Sequence, residues 1–183
     1  MVNLEQGFRM LVEKYQSSIY WHIRRMVISH EDAQDVLQET FIRVFRSMDN
    51  FREESSLSTW IYRIATNECI RFLNRRKEQA LSTEEVQEEL MNKLMASDYV
   101  DYDNAMEVKF QQAILRLPEK QRLVFNLRYY DELKYEEISR ITDTRVETLK
   151  SHYHFAKEKI KEYMINNWAM MEKDFDFNAI GKR

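Results

Sequence analysis

The chain has little of what tight turns, crosslinks and membranes require. Two glycines and one proline in 183 residues are too few for a strand-rich fold, which relies on Gly, Pro and Asn at its reversals. The single cysteine, Cys69, excludes an internal disulfide and any CxxC metal site. It sits among apolar neighbours on a predicted helix and is expected in the core. No apolar run approaches the ~18 residues that suggest a membrane span, and no signal-peptide pattern is present. A soluble, cytoplasmic chain without direct membrane insertion is expected. The four histidines, His22, His30, His152 and His154, form no plausible metal set, and the last two diverge on a helix. No nucleophile paired with a base, carboxylate dyad or phosphate-binding glycine loop occurs, so neither catalysis nor a cofactor is expected.

What remains is rich in aliphatic residues, Glu, Lys and Arg, and its charge is unevenly distributed. The net charge of −3 by itself does not suggest a nucleic-acid binder. Residues 1–77, however, carry 12 Lys and Arg against 10 acids, and residues 104–183 carry 15 against 13. Between them, residues 78–103 carry one lysine and eight acids. Two mildly basic modules are thus joined by a strongly acidic connector, and local patches matter more for binding than the total. Apolar spacing predicts helices near 4–27, 31–48, 58–77, 105–115, 119–130, 134–141 and 146–165. Ser58 or Thr59 is positioned to cap the third, and Pro118 sits at a first-turn position of the fifth. The connector has patchy periodicity at Val86, Leu90 and Leu94, with room for one short helix but no convincing core face. The expected fold is all-α: two small helical domains, 1–77 and 104–165, with a flexible acidic linker at 78–103. The tail at 166–183 gives no clear signal.

Three stretches carry chemistry. In DAQDVLQETFIRVFR, residues 32–46, Ala33, Leu37, Phe41 and Val44 form a core stripe. The opposite side presents Asp35, Gln38, Glu39, Arg46 and, among them, Ile42. Asp35 and Glu39 repel each other at i,i+4. The pattern is either a solvated face, eased by a Glu39–Arg43 pair, or a docking surface for a basic partner. In LSTWIYRIATNECIRFLNRRK, residues 57–77, Trp60, Arg63, Asn67, Arg71 and Asn74 align at helical spacing. With the polar loop of Arg52, Ser55 and Ser56, such a face could hold unstacked bases and phosphates. The alternative is a half-buried Trp60 with solvated cations. In YEEISRITDTRVETLKSHYHFAKEKIKEYM, residues 135–164, a short helix, a polar turn and a longer helix have helix-turn-helix spacing. Its outer face offers Thr148, Ser151, Phe155 and Lys159, flanked by Arg145, Lys150 and His152, suited to base edges and phosphates. A plain helical hairpin would share this pattern.

Together, in this order and spacing, the three stretches resemble the bacterial sigma factors of RNA polymerase, in the sigma-70 family's extracytoplasmic-function (ECF) group. The resemblance covers roughly residues 4–165. It implies a promoter-specificity subunit that binds core RNA polymerase, places both modules on promoter DNA, duplex and melted, and does no chemistry itself. It further implies core docking through Asp35, Gln38, Glu39 and Ile42 onto the clamp-helix coiled coil of the largest catalytic subunit. Minus-ten contact would fall to Arg52, Ser55, Ser56, Trp60, Arg63, Asn67, Arg71 and Asn74. Minus-thirty-five contact would fall to Arg145, Thr148, Lys150, Ser151, His152, Phe155 and Lys159. An anti-sigma factor is a further partner such proteins often have. The chain departs from the family at Asp143, where a turn glycine is usual, and at Glu147, where a small residue is usual. His152 and Phe155 stand where arginines are common. Asp tolerates left-handed backbone better than most residues, so the turn is expected to survive. The sequence also permits a simple helix-turn-helix regulator with an N-terminal sensing or dimerising domain, or a helical interaction module that binds no DNA.

Overall fold

A computed structural model describes residues 4–51, 55–80, 83–96 and 105–174. Eight α-helices make up nearly all of it: α1 (Leu4–Val27), α2 (His30–Ser47), α3 (Leu57–Gln79), α4 (Thr83–Met95), α5 (Ala105–Leu115), α6 (Glu119–Tyr129), α7 (Tyr135–Thr142) and α8 (Val146–Asp174). One 3₁₀ turn, Met48–Asn50, follows α2, and no strand occurs among the described residues.

The helix ends follow from local chemistry. Glu5 opens α1, and Arg24 and Arg25 close it, each matching the sign of the adjacent dipole end. The Ser29 side chain accepts from the Asp32 amide and starts α2. The start of α3 differs from expectation. Its cap is Ser56, whose Oγ accepts from the Thr59 amide at 3.1 Å. Ser58 and Thr59 instead lie inside the first turn, because the helix begins one residue earlier than its apolar pattern suggests. Pro118 is the residue immediately before α6, and its carbonyl accepts from the Arg122 amide at 2.9 Å. In α7, Glu137 reaches back to the Lys134 amide at 2.9 Å.

Ile19, Ile23, Met26, Ala33, Val36, Val44, Ile61, Ala65, Cys69 and Leu73 fill the centre of the α1–α3 bundle. On α2, Val36 and Thr40 are buried and Leu37 only partly, so the core stripe is rotated slightly from its predicted position. Phe125 of α6 packs with Ala113, Ile114, Ala156 and Ile160 from α5 and α8. The two cores are not separate. Leu123, Val124, Leu127, Ile138, Ile141 and Leu149 of the C-terminal half join the same apolar cluster as α1–α3.

The acidic connector also has a core face, contrary to the sequence expectation. In α4, Val86, Leu90 and Leu94 are buried against Leu115 and Ile28. Ile28 joins α1 to α2 at φ 69°, a left-handed conformation that a β-branched residue adopts at a cost on the order of 1–3 kcal/mol. Its side chain is covered by α4, so burial offsets the strain. Charge also ties α4 down. Lys93 contacts Asp32 at 3.0 Å and Glu89 at 3.1 Å, and Arg76 contacts Asp32 at 3.2 Å and Glu89 at 3.4 Å. Periodicity alone did not reveal this face because its partners, Ile28 and Leu115, are distant in sequence.

Truncating the most buried of these residues tests the docking. Leu94→Ala should lower global or α4-local stability by about 2–4 kcal/mol, the usual range for a buried leucine, read by urea denaturation and amide exchange. Unchanged protection of the α4 amides would mean that the helix is not held by its apolar face.

Candidate polymerase and promoter interfaces

On α2, the helix places Asp35, Gln38 and Glu39 in solvent and leaves Ile42 partly buried. Ile42 and Gln38 line a groove of about 610 Å³ with Phe8, Phe41, Phe45 and Arg46. Phe45 is 43% exposed and meets Phe8 edge to face at 5.0 Å. Sequence reading missed Phe8 and Phe45. The signal was there in part, since Gln38, Ile42 and Phe45 share helical spacing, but Phe8 comes from α1 and only the fold brings it alongside. Arg43 turns away from this face to meet Glu68 of α3 at 2.5 Å, so the Asp35–Glu39 repulsion is not eased in the way the sequence suggested.

Glu68 fixes α2 to α3. Its side chain is 7% exposed and also accepts from Arg71 at 2.6 Å. Arg71 is therefore already partnered, although about half of its side chain reaches solvent. Arg63, Asn67 and Asn74 are exposed along α3. Trp60 is half-buried and leans on Phe51, with ring centroids 5.0 Å apart and planes tilted by 45°. In the preceding loop, the Ser56 hydroxyl is engaged in the cap, Ser55 is partly buried, and Arg52 lies outside the described residues. Cys69 is fully buried, and burial, with Glu68 nearby, pushes its thiol well above the usual range, leaving it an inert core residue.

The helix-turn-helix is formed by α7 and α8. Asp143 takes the turn at φ 53°, ψ 39°, the left-handed conformation that a glycine would otherwise supply. Leu149, Ala156 and Ile160 are buried on α8, while Arg145, Thr148, Lys150, Ser151, Phe155 and Lys159 are exposed. Ser151 donates back to the Glu147 carbonyl at 3.1 Å. His152 is partly buried. It turns into a cleft of about 320 Å³, together with Thr148 and the turn residues Thr142, Asp143 and Thr144. The opposite wall of that cleft is Arg63, Thr66, Asn67 and Ile70 of α3. Arg63 and Asn67 of one candidate DNA surface thus share a cleft with Thr148 and His152 of the other.

Fold and surfaces together define a bipartite helical protein whose second half is a helix-turn-helix. Residues 11–79 match the family model for sigma-70 region 2, and residues 107–160 match that for sigma-70 region 4. The chain is 32% identical over 168 residues to the ECF RNA polymerase sigma factor SigW of Bacillus subtilis, covering 87% of this chain and 90% of that one. It is 35% identical over 164 residues to the RNA polymerase sigma-H factor of Pseudomonas aeruginosa, covering 85% of each. In fold it is similar to the sigma factor RpoE of Bartonella quintana, solved with the anti-sigma factor NepR, at TM-score 0.67 and 18% identity over 87% of this chain and 97% of that one. The chain belongs to the ECF sigma factors of the sigma-70 family. It is a non-enzymatic initiation factor that directs RNA polymerase to promoters.

The cap assignment has a direct check. Ser56→Ala should cost about 1 kcal/mol in thermal or urea unfolding, and Ser58→Ala within a few tenths. Equal losses at both positions would place the start of α3 elsewhere.

Proposed function

We propose that residues 1–77 form the core-docking and minus-ten module, residues 104–165 the minus-thirty-five module, and that both act inside the cell on one polymerase. The α2 face docks through Asp35, Gln38, Glu39 and Ile42 onto the clamp-helix coiled coil of the largest catalytic subunit. The observation that carries this reading is that Gln38 and Ile42 of this face line the groove of Phe8, Phe41 and Phe45. Acids at a rim steer a basic partner, and a compact apolar centre supplies the contact that holds it. Repulsion between Asp35 and Glu39 is relieved when cations of the partner meet them.

The exposed Arg63 and Asn67, with Trp60 and the loop before α3, receive separated minus-ten bases. Trp60 supports this role as the half-buried floor of the face, leaning on Phe51. Arg71 and Asn74 continue it toward phosphates. The α8 face of Arg145, Thr148, Lys150, Ser151, Phe155 and Lys159 enters the minus-thirty-five major groove, where hydroxyls and cations suit base edges and phosphates. His152 joins that contact only after leaving its present cleft. An anti-sigma factor is a further proposed partner. The sigma factor of Bartonella quintana that this chain resembles in fold was solved in complex with one.

Two substitutions at the docking face test the assignment. Ile42→Asp with Glu39→Lys should weaken binding to core polymerase by a few kcal/mol, roughly a hot-spot loss, with helical content unchanged. Competition for core enzyme measures it, and wild-type affinity in the double variant would sink the docking face.

Strand opening is tested separately. Asn67→Ala and Arg63→Ala should preserve core binding and reduce thymine reactivity to permanganate in the minus-ten region. A base taken from the stack costs roughly a few kcal/mol that pocket contacts must offset. Unchanged reactivity in both variants, with promoter complexes still formed, would make this face structural only.

A further inference from the structure

The rotation of α8 about its axis is set by its own core residues. Leu149, Ala156 and Ile160 are buried. Between them Tyr153 lies against Phe125 of α6, with ring centroids 5.9 Å apart and planes tilted by 23°. Phe155 stands one residue before Ala156, so its side chain points away from that core. It is 54% exposed, and among the described residues the one ring it meets is that of the neighbouring His154, at 5.5 Å. A lone exposed apolar side chain is ordinary on a protein surface. This one stands at helical spacing from the exposed Thr148 and Ser151, on the second helix of a helix-turn-helix. Thr148 and Phe155 lie seven residues apart, roughly 10.5 Å along the axis at about 1.5 Å per residue. Both therefore fit within one major groove, about 12 Å wide.

The same face is poorly equipped to read guanine. That base offers two acceptors in the major groove, which the planar fork of an arginine matches. No arginine occurs in α8. Its exposed lysines, Lys150 and Lys159, are point charges suited to phosphate, and Lys157 lies over the Tyr153 ring at 5.0 Å. The His152 imidazole lines the cleft beside α3, and its Nδ1 has no hydrogen-bond partner among the described residues. Ser151 gives its proton to the Glu147 carbonyl and offers only lone pairs outward. Such an acceptor suits the exocyclic amine of adenine or cytosine.

We propose that Phe155 reads the C5-methyl of a thymine in the minus-thirty-five major groove, so that this chain selects an A·T pair at the position the ring covers. The inference rests on the assignment of α8 to the minus-thirty-five element. Thymine alone among the four bases presents a methyl on the major-groove edge. Covering that methyl with the phenyl ring removes apolar surface of both from water. The ring has no donor or acceptor, so set against guanine or cytosine it would leave their polar edges desolvated and unpaired, which is costly. Attraction to one base and exclusion of the others thus come from the same side chain.

The test uses the full chain assembled with core polymerase. Duplexes randomised across both promoter elements and selected on this holoenzyme supply the preferred minus-thirty-five sequence, which should hold a thymine on one strand at a fixed position. Replacing that thymine by deoxyuridine removes the methyl and nothing else. Binding by the wild-type holoenzyme should weaken about fourfold, the worth of one methyl taken out of water. Phe155→Ala should bind the thymine duplex more weakly and should not distinguish it from the deoxyuridine duplex. Its slope of log affinity against log salt should match the wild type, because no phosphate contact is lost. Helical content should be unchanged, since the side chain lies outside the core. A selected element in which the wild type tolerates loss of every thymine methyl overturns the proposal. So does a deoxyuridine penalty as large in Phe155→Ala as in the wild type. Failure of the α8 assignment itself looks different: the selection then finds no base preference anywhere in the minus-thirty-five region.

Discussion

The arrangement of the molecule depends on one buried negative charge. A carboxylate withdrawn from water must be compensated by donors or cations, and Asp131 finds all of its described partners on α1 and α3. That requirement fixes how the second half of the chain sits on the first. Around it, Leu123, Leu127, Ile138, Ile141 and Leu149 extend a shared apolar cluster, and Arg25 lies over the Tyr130 ring at 4.8 Å. Apolar contact supplies area without direction, whereas the carboxylate, imidazole and guanidinium set the orientation. The cleft that Arg63 and Asn67 share with Thr148 and His152 follows from that orientation.

The acidic segment contributes in a second way. By sequence it is a string of repelling carboxylates, yet α4 covers the strained Ile28 and places Glu89 against Arg76 near the end of α3. Part of the acidity thus neutralises a cation of α3. The exposed Glu84, Glu85 and Glu88 lie on the same helix. The connector is therefore part of the closed structure as well as a tether.

Much of the fold was legible in the sequence, for physical reasons that can be named. Seven helices announced themselves through apolar spacing, because each buries one stripe and the chain has few turn residues. The polar turn at Asp143 was legible because Asp is among the few non-glycine residues that accept left-handed backbone. The α2 face was legible as an unexplained exposed isoleucine between acids. Features built from distant residues were not. The core face of α4 needs Ile28 and Leu115, the groove beside α2 needs Phe8 next to Phe45, and the cleft that His152 lines needs residues of α3. Ser56 was missed as a cap because three neighbouring residues could each have served, and only the helix start selects among them. Asp131 gave no signal, since an acid in a polar loop is ordinarily solvated.

On the proposed assignments the α3 and α8 faces reach different promoter elements on one polymerase, so the two halves that Asp131 joins must part there. Fluorescence energy transfer between dyes on Glu13→Cys and Glu158→Cys, two exposed positions on α1 and α8, reports that separation, with the buried Cys69 shielded from labelling. The account predicts high transfer in the free protein and a large fall on adding core polymerase, before any promoter DNA is present. Transfer that stays high in a complex that goes on to transcribe from a promoter would contradict it.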